Sequence, residues 1–190
     1  IPLLDGRELP ADFAKQANEH KAKLTFVVNP HAPSGHLTSS DKIRELASSL
    51  DSILLVDEAY VDFVDPQLGY DCIDMINEFE NLICLRTLSK GYSLAGLRFG
   101  YGIGHASLIQ PMMDKTRDSY NLDNFSQQIA HAALSDQAYA RTNWEKVRQE
   151  RARLSGLLSQ LGLVSQPTET FLSSSSDSPT DLTRTLPYAV

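Results

Sequence analysis

Residues 53–60 read Ile53-Leu54-Leu55-Val56-Asp57-Glu58-Ala59-Tyr60. A continuous apolar run this short, closed by carboxylates, reads as a buried strand rather than one turn of a helix. Two similar runs flank it. Upstream, Leu24 to Val28 enters Asn29-Pro30-His31-Ala32-Pro33-Ser34-Gly35, whose prolines and glycine exclude a helix or a central strand. Downstream, Leu82 to Leu85 leads into Arg86-Thr87-Leu88-Ser89-Lys90.

Helical patterns separate the strands. One helix is predicted after Pro10, with Phe13, Ala14 and Ala17 at helical spacing. Thr38-Ser39-Ser40-Asp41 supplies capping oxygens for a second, carrying Ile43, Leu46, Ala47 and Leu50 on one face. A short extended piece and a Pro/Gly loop are expected over Val61–Gly69. A further helix is expected with Ile73, Ile76 and Phe79 on one side. Phe99 to Ile103 is predicted as another strand. The alternation predicts an α/β fold, a parallel (mixed) sheet with flanking helices.

The chain then turns helical, over Ala106–Met113, Asp123–Leu134 and one long stretch, Asp136–Leu161. Leu163–Val164 and Phe171–Leu172 are predicted as strands opening a small α+β domain. The expected organisation is 1–135 for most of a large domain, 136–161 for a connecting helix and 162–190 for the start of a small domain. The lack of an initiator Met leads us to expect a chain that begins inside a longer gene product.

With 190 residues and a formal charge of −7, the chain has no long basic run, which argues against nucleic acid or an anionic membrane as main partner. No apolar run approaches the roughly 18 residues of a membrane span, and the N-terminus has no signal-peptide pattern. The two cysteines, Cys72 and Cys84, have no Cys-x-x-Cys spacing and read as buried thiols of a reducing, cytoplasmic compartment. His36, His105 and His131 lack metal-ligand spacing, so no metal is expected.

In an open parallel sheet, ligands bind beyond the carboxyl ends of the strands. Those ends carry the Asn29–Gly35 loop, Asp57 with Tyr60, and Thr87 to Lys90. Hydroxyls at Thr87 and Ser89 with the guanidinium of Arg98 can hold a phosphate. A lysine beside them can form a Schiff base with a carbonyl on the same ligand. Pyridoxal phosphate (PLP) carries both groups, and a buried carboxylate keeps its pyridine nitrogen protonated. Asp57 sits where that carboxylate is needed, although capping the following turn is its other reading. Arg98 has the alternative of pairing with a surface carboxylate, and Tyr92, near the lysine, is ambiguous.

The segments Val56-Asp57-Glu58-Ala59-Tyr60-Val61-Asp62-Phe63, Arg86-Thr87-Leu88-Ser89-Lys90 and Ala95-Gly96-Leu97-Arg98-Phe99-Gly100-Tyr101 resemble the fold-type I PLP-dependent aminotransferases. Within them the chain is most similar to the histidinol-phosphate aminotransferases, from about Pro2 to about Leu172. The resemblance implies PLP as cofactor, Asp57 as pyridinium partner and Tyr60 at the phenolate oxygen. It makes Lys90 the Schiff-base and proton-transferring lysine, with Thr87, Ser89 and Arg98 on the phosphate. It implies amino transfer between L-histidinol phosphate and 2-oxoglutarate in histidine biosynthesis, that is, an amino-acid-type substrate, a 2-oxo acid and a homodimer.

The resemblance leaves open an aromatic aminotransferase or a threonine-phosphate decarboxylase. Where the family has a second Asn in its loop, this chain has Ala32 preceded by His31, so either His31 makes that contact or Tyr60 makes it alone. The family's N-terminal phosphate loop, its intersubunit tyrosine and its substrate-carboxylate arginine have no counterpart here, and Arg184 matches no such motif. A PLP-binding piece without catalysis is therefore a further alternative.

Overall fold

A computed structural model of the chain describes residues 1–116, 118, 120–163 and 165–170. Strands β1 (Leu24–Val28), β2 (Ile53–Asp57), β3 (Leu82–Thr87) and β4 (Gly100–Gly104) form one sheet in the order β1-β2-β3-β4. The first three are parallel, and β4 returns antiparallel along β3, which makes the sheet mixed. The register aligns Val28 with Asp57 and Asp57 with Leu85, so the strand ends carrying the candidate residues lie side by side.

Helix α1 (Phe13–Glu19) and helix α2 (Ser40–Ser49) pack on one face of this sheet. Ser39 caps α2 by accepting from the Lys42 amide at 3.3 Å, as the run of hydroxyls predicts. Ile43, Leu46 and Ala47 from α2 meet Leu54 and Val56 of β2 and Leu82 and Cys84 of β3 in the core. β1 and β2 bury alternate residues, since side chains of a strand point to opposite faces, whereas β3 buries Leu82, Ile83 and Cys84 in succession. The other face is more open than a continuous apolar run suggests: Leu24 and Phe26 of β1 are 53% and 51% exposed.

The connection between β2 and β3 differs from expectation. No extended piece and no α-helix forms; three 3-10 turns do, over Val61–Phe63, Pro66–Leu68 and Asp74–Asn77. Pro66 lacks an amide to donate, and Gly69 turns the chain at φ +60°. The residues from Asp71 to Phe79 stop at a 3-10 turn, since side-chain bonds to the backbone compete with an α-helical ladder. Side chains fix them instead, with Ser40 Oγ accepting from the Asp71 amide and Asp71 Oδ1 from the Ile73 amide. The apolar spacing still serves packing: Met75 is buried, and Ile73, Ile76 and Phe79 lie against the core.

Beyond the sheet run α3 (Ala106–Lys115), α4 (Asn124–Ser135) and α5 (Gln137–Gln160). Asp123 and Asp136 cap the last two by accepting amide protons of Ser126 and Tyr139. Leu163 does not open a strand. Its amide closes the end of α5 on the Leu158 carbonyl, after Gly162 at φ +74°. Val164 and Phe171–Leu172, the rest of the strand expectations, lie outside the described residues, as does most of 162–190.

The last described segment folds back toward the strand ends. The Glu169 amide donates to the Gly35 carbonyl at 2.8 Å. Arg7 reaches the Pro167 carbonyl at 2.7 Å. Glu169 Oε2 accepts from the Asp65 amide at 2.9 Å and from Arg151 of α5 at 3.0 Å. Gly35, at φ +69°, has no room for a Cβ beside Thr168.

Candidate active site

β2 ends at Asp57, which is half-buried. Its Oδ1 accepts from the Ala59 amide at 3.0 Å and so closes the turn that brings Tyr60 round. The capping reading of Asp57 is therefore real for one oxygen. Tyr60 precedes the turn Val61–Phe63 and lies 6.5 Å, ring to ring, from Phe63.

β3 runs past the last residue paired with β2 and delivers the other wall. Leu88 is fully buried and anchors it, its amide bonded to the Phe99 carbonyl at 3.1 Å. Thr87 Oγ1 lies 2.9 Å from Ser89 Oγ and 3.1 Å from the Phe99 carbonyl oxygen, and accepts from the Ser89 amide at 3.1 Å. The two hydroxyls predicted to act together are thus adjacent. Lys90 is exposed, and its Nζ lies 5.4 Å from the centre of the Tyr60 ring. That contact joins the β2 wall to the β3 wall.

Arg98 stands apart from these. It is exposed, takes a left-handed backbone conformation at φ +56° and donates to the Ala95 carbonyl at 2.9 Å. A left-handed non-glycine residue costs about 1–2 kcal/mol, a strain that clusters at ligand sites. His31 is held in its own loop, with Nδ1 2.7 Å from Ser34 Oγ. Burial, aided by His36, lowers its pKa. Among the described residues no hydrogen bond or ion pair joins His31 to Asp57, Tyr60 or Lys90. It borders a groove of about 460 Å³ along β1, together with Arg7, Leu9 and Phe13.

Several residues that support these walls were not singled out from sequence. Glu58, 1% exposed, accepts from Arg86 Nε at 2.8 Å and from the Tyr70 hydroxyl at 2.9 Å. Burial raises the Glu58 carboxyl pKa, and Arg86 pulls it back. Asp62 lies beneath the lysine loop, where a Cβ on Gly91 would run into its carboxylate. Burial pushes Asp62 up to about 6, against the pull of Arg86. Trp144 of α5 donates to the Gly91 carbonyl at 2.7 Å and meets Tyr92 edge to face at 5.5 Å. Tyr92, whose hydroxyl accepts from Gln137 at 3.0 Å, is thus a packing residue here.

The only sequence signal for Glu58 and Arg86 was charge at the ends of two adjacent apolar strands. Trp144 falls at helical spacing in the long stretch and reads as a core or interface residue, but nothing in the sequence pairs it with Gly91, 53 residues away. Cys72 and Cys84 are free and buried, and burial pushes Cys72 up to about 12 and raises Cys84 as well, so both are thiols at neutral pH. Among the described residues no helix is long and apolar enough to cross a membrane, and no cluster of His, Cys, Asp or Glu suits a metal ion.

Residues 4–180 match the family described as aminotransferase class I and II. Histidinol-phosphate aminotransferase 1 of Trichormus variabilis is 45% identical over 162 residues, which cover 85% of this chain and 44% of that protein. Histidinol-phosphate aminotransferase 1 of Nostoc sp. is 46% identical over 139 residues, 73% of this chain and 38% of that protein. The crystal structure of histidinol-phosphate aminotransferase from Sinorhizobium meliloti in complex with pyridoxal-5'-phosphate superposes with a TM-score of 0.81 at 28% identity. It covers 90% of this chain and 46% of that one. The chain therefore spans less than half the length of these relatives.

Proposed function

The chain belongs to the aminotransferase class I and II family, and on that premise we propose that it forms the cofactor-holding core of a PLP-dependent aminotransferase. The carrying observation is the Lys90 amine 5.4 Å from the Tyr60 ring, where the ends of β2 and β3 meet. The donor set fits PLP group by group. Asp57 offers a carboxylate to the pyridine nitrogen, with Oδ1 engaged by the Ala59 amide. Tyr60 offers a phenol to the phenolate oxygen, and Lys90 an amine to the carbonyl carbon. Thr87 and Ser89 offer two adjacent hydroxyls, 2.9 Å apart, to a phosphate. Arg98, strained at φ +56° in the same loop, adds a guanidinium to that phosphate. His31 is the least supported member, since it bonds within its own loop.

When bound, PLP supplies an electron sink for the bonds of the substrate Cα. The chain's own residues do the rest. Asp57 holds the proton on the pyridine nitrogen by opposite charge in a half-buried setting. Tyr60 donates a hydrogen bond to the phenolate oxygen and orients the ring. Lys90 would take up the proton released from the substrate Cα and give it back, a general acid–base role for an amine on a flexible stem. Thr87, Ser89 and Arg98 fix the phosphate end and with it the plane of the ring.

The similarity to histidinol-phosphate aminotransferases, at 45% and 46% identity, supports L-histidinol phosphate and 2-oxoglutarate as the substrate pair. The same similarity supports a homodimer for the full-length protein. Two unpaired buried thiols favour a reducing, cytoplasmic setting. The test is turnover by the full-length protein with L-histidinol phosphate, L-tyrosine or O-phospho-L-threonine as amino donor and 2-oxoglutarate as acceptor. Glutamate formation with the highest kcat/KM for L-histidinol phosphate is expected. A preference for L-tyrosine, carbon dioxide release from O-phospho-L-threonine, or no turnover would overturn the substrate assignment.

A further inference from the structure

We propose that Glu58 and Arg86 act as a positioning pair that sets the Asp57–Tyr60 wall against the Thr87–Lys90 wall. The inference rests on the PLP reading and concerns residues to which that reading gives no role. Glu58 directly follows Asp57, and Arg86 directly precedes Thr87. The β2–β3 ladder ends with Asp57 opposite Leu85 and one further bond, from the Glu58 amide to the Leu85 carbonyl at 2.8 Å. Beyond it the two strands part, β2 into the Tyr60 turn and β3 into the lysine loop. The bond from Arg86 Nε to Glu58 Oε2, at 2.8 Å, spans that divergence.

The pair is costly enough to need a reason. The Glu58 carboxylate is fully buried and the Arg86 side chain is 25% exposed. Taking two such charges out of water offsets much of their attraction, and apolar residues of similar volume often serve stability as well. What apolar residues do not provide is a directed bond of fixed length. The second Glu58 oxygen is held by Tyr70, whose hydroxyl lies 3.1 Å from Cys72 Sγ, so the carboxylate is fixed from two sides. A carboxylate held this way fixes the guanidinium, and the guanidinium fixes the backbone one residue before Thr87. A displacement of about 1 Å between groups that share one ligand costs on the order of 100-fold in function.

The experiment measures PLP affinity and the position of the visible absorption band in the full-length protein. It compares wild type, the isosteric Glu58→Gln, Arg86→Met, and the double variant Glu58→Met/Arg86→Met, each with its Tm. The pair predicts roughly 10- to 100-fold weaker PLP binding and a shifted band in both single variants. It predicts that the double variant recovers Tm but neither affinity nor band position. Recovery of wild-type affinity and band by the double variant would reduce the pair to a structural salt bridge and overturn the inference. So would single variants that bind PLP like wild type. A wild-type protein that binds no PLP would overturn the cofactor reading itself, and the inference with it, a failure recognisable because it precedes any substitution.

Discussion

The Nζ atom of Lys90 lies 5.4 Å from the centre of the Tyr60 ring. The two residues are thirty positions apart in the chain and on separate strand ends, and the parallel β2–β3 pairing brings them together. An ammonium at this distance from a phenol face gains about 0.5–1 kcal/mol at an exposed site. That is enough to bias the lysine toward the Tyr60 ring and too little to hold it there against a stronger partner.

Replacing Tyr60 by Phe keeps the ring and its contact with Lys90 and removes only the hydroxyl. One lost hydrogen bond is worth about 0.5–1.5 kcal/mol. PLP should therefore bind about 2- to 10-fold more weakly to Tyr60→Phe, as read by titration of the visible band. Unchanged affinity would remove Tyr60 from the cofactor contacts.

Asp62 predicts a pH dependence of stability. Burial raises its pKa from 3.8 in the unfolded chain to about 6 in the folded one. A raised pKa means that the folded state binds the proton more tightly. Its contribution is fully present below the unfolded value and is lost as pH rises through about 6. Asp62→Asn removes this term. The variant should gain roughly 1–3 kcal/mol over wild type at pH 7–8, and the difference should shrink toward pH 4. Urea denaturation at several pH values checks it, and a difference independent of pH would contradict it.

Trp144 ties helix α5 to the lysine loop through its bond to the Gly91 carbonyl at 2.7 Å. Trp144→Phe keeps an aromatic edge for Tyr92 and leaves that carbonyl without the indole donor. A cost of about 1–3 kcal/mol follows, and amide exchange of Gly91 to Leu94 should accelerate. Unchanged Tm and exchange would show that the loop is fixed by other contacts.

The sheet was legible because its strands are short apolar runs closed by polar residues, as Ile53–Val56 before Asp57 shows. The cap of α2 was legible for a similar local reason, hydroxyls followed by an apolar face. Over Val61–Phe79 the spacing of Ile73, Ile76 and Phe79 satisfies a helix, but it records only which residues face the core; the side-chain bonds at Asp71 and Ile73 that hold the segment in a 3-10 turn leave no periodic mark. At the site, Thr87, Ser89 and Lys90 are neighbours in sequence, so their clustering follows from one strand end. The supports are different in kind. Gly91 with Asp62, Gly91 with Trp144 and Glu58 with Arg86 meet only through tertiary packing, and no periodicity records them.

The central claim is that Lys90 is the amine of a PLP site, and reductive trapping tests it most directly. The chain is mixed with PLP, reduced with borohydride and mapped by peptide mass, for wild type and Lys90→Ala. The account predicts a visible band before reduction, label on Lys90 in the wild type, and neither band nor specific label in the variant. Label spread over exposed lysines such as Lys15 and Lys21, equal in wild type and Lys90→Ala, would contradict it.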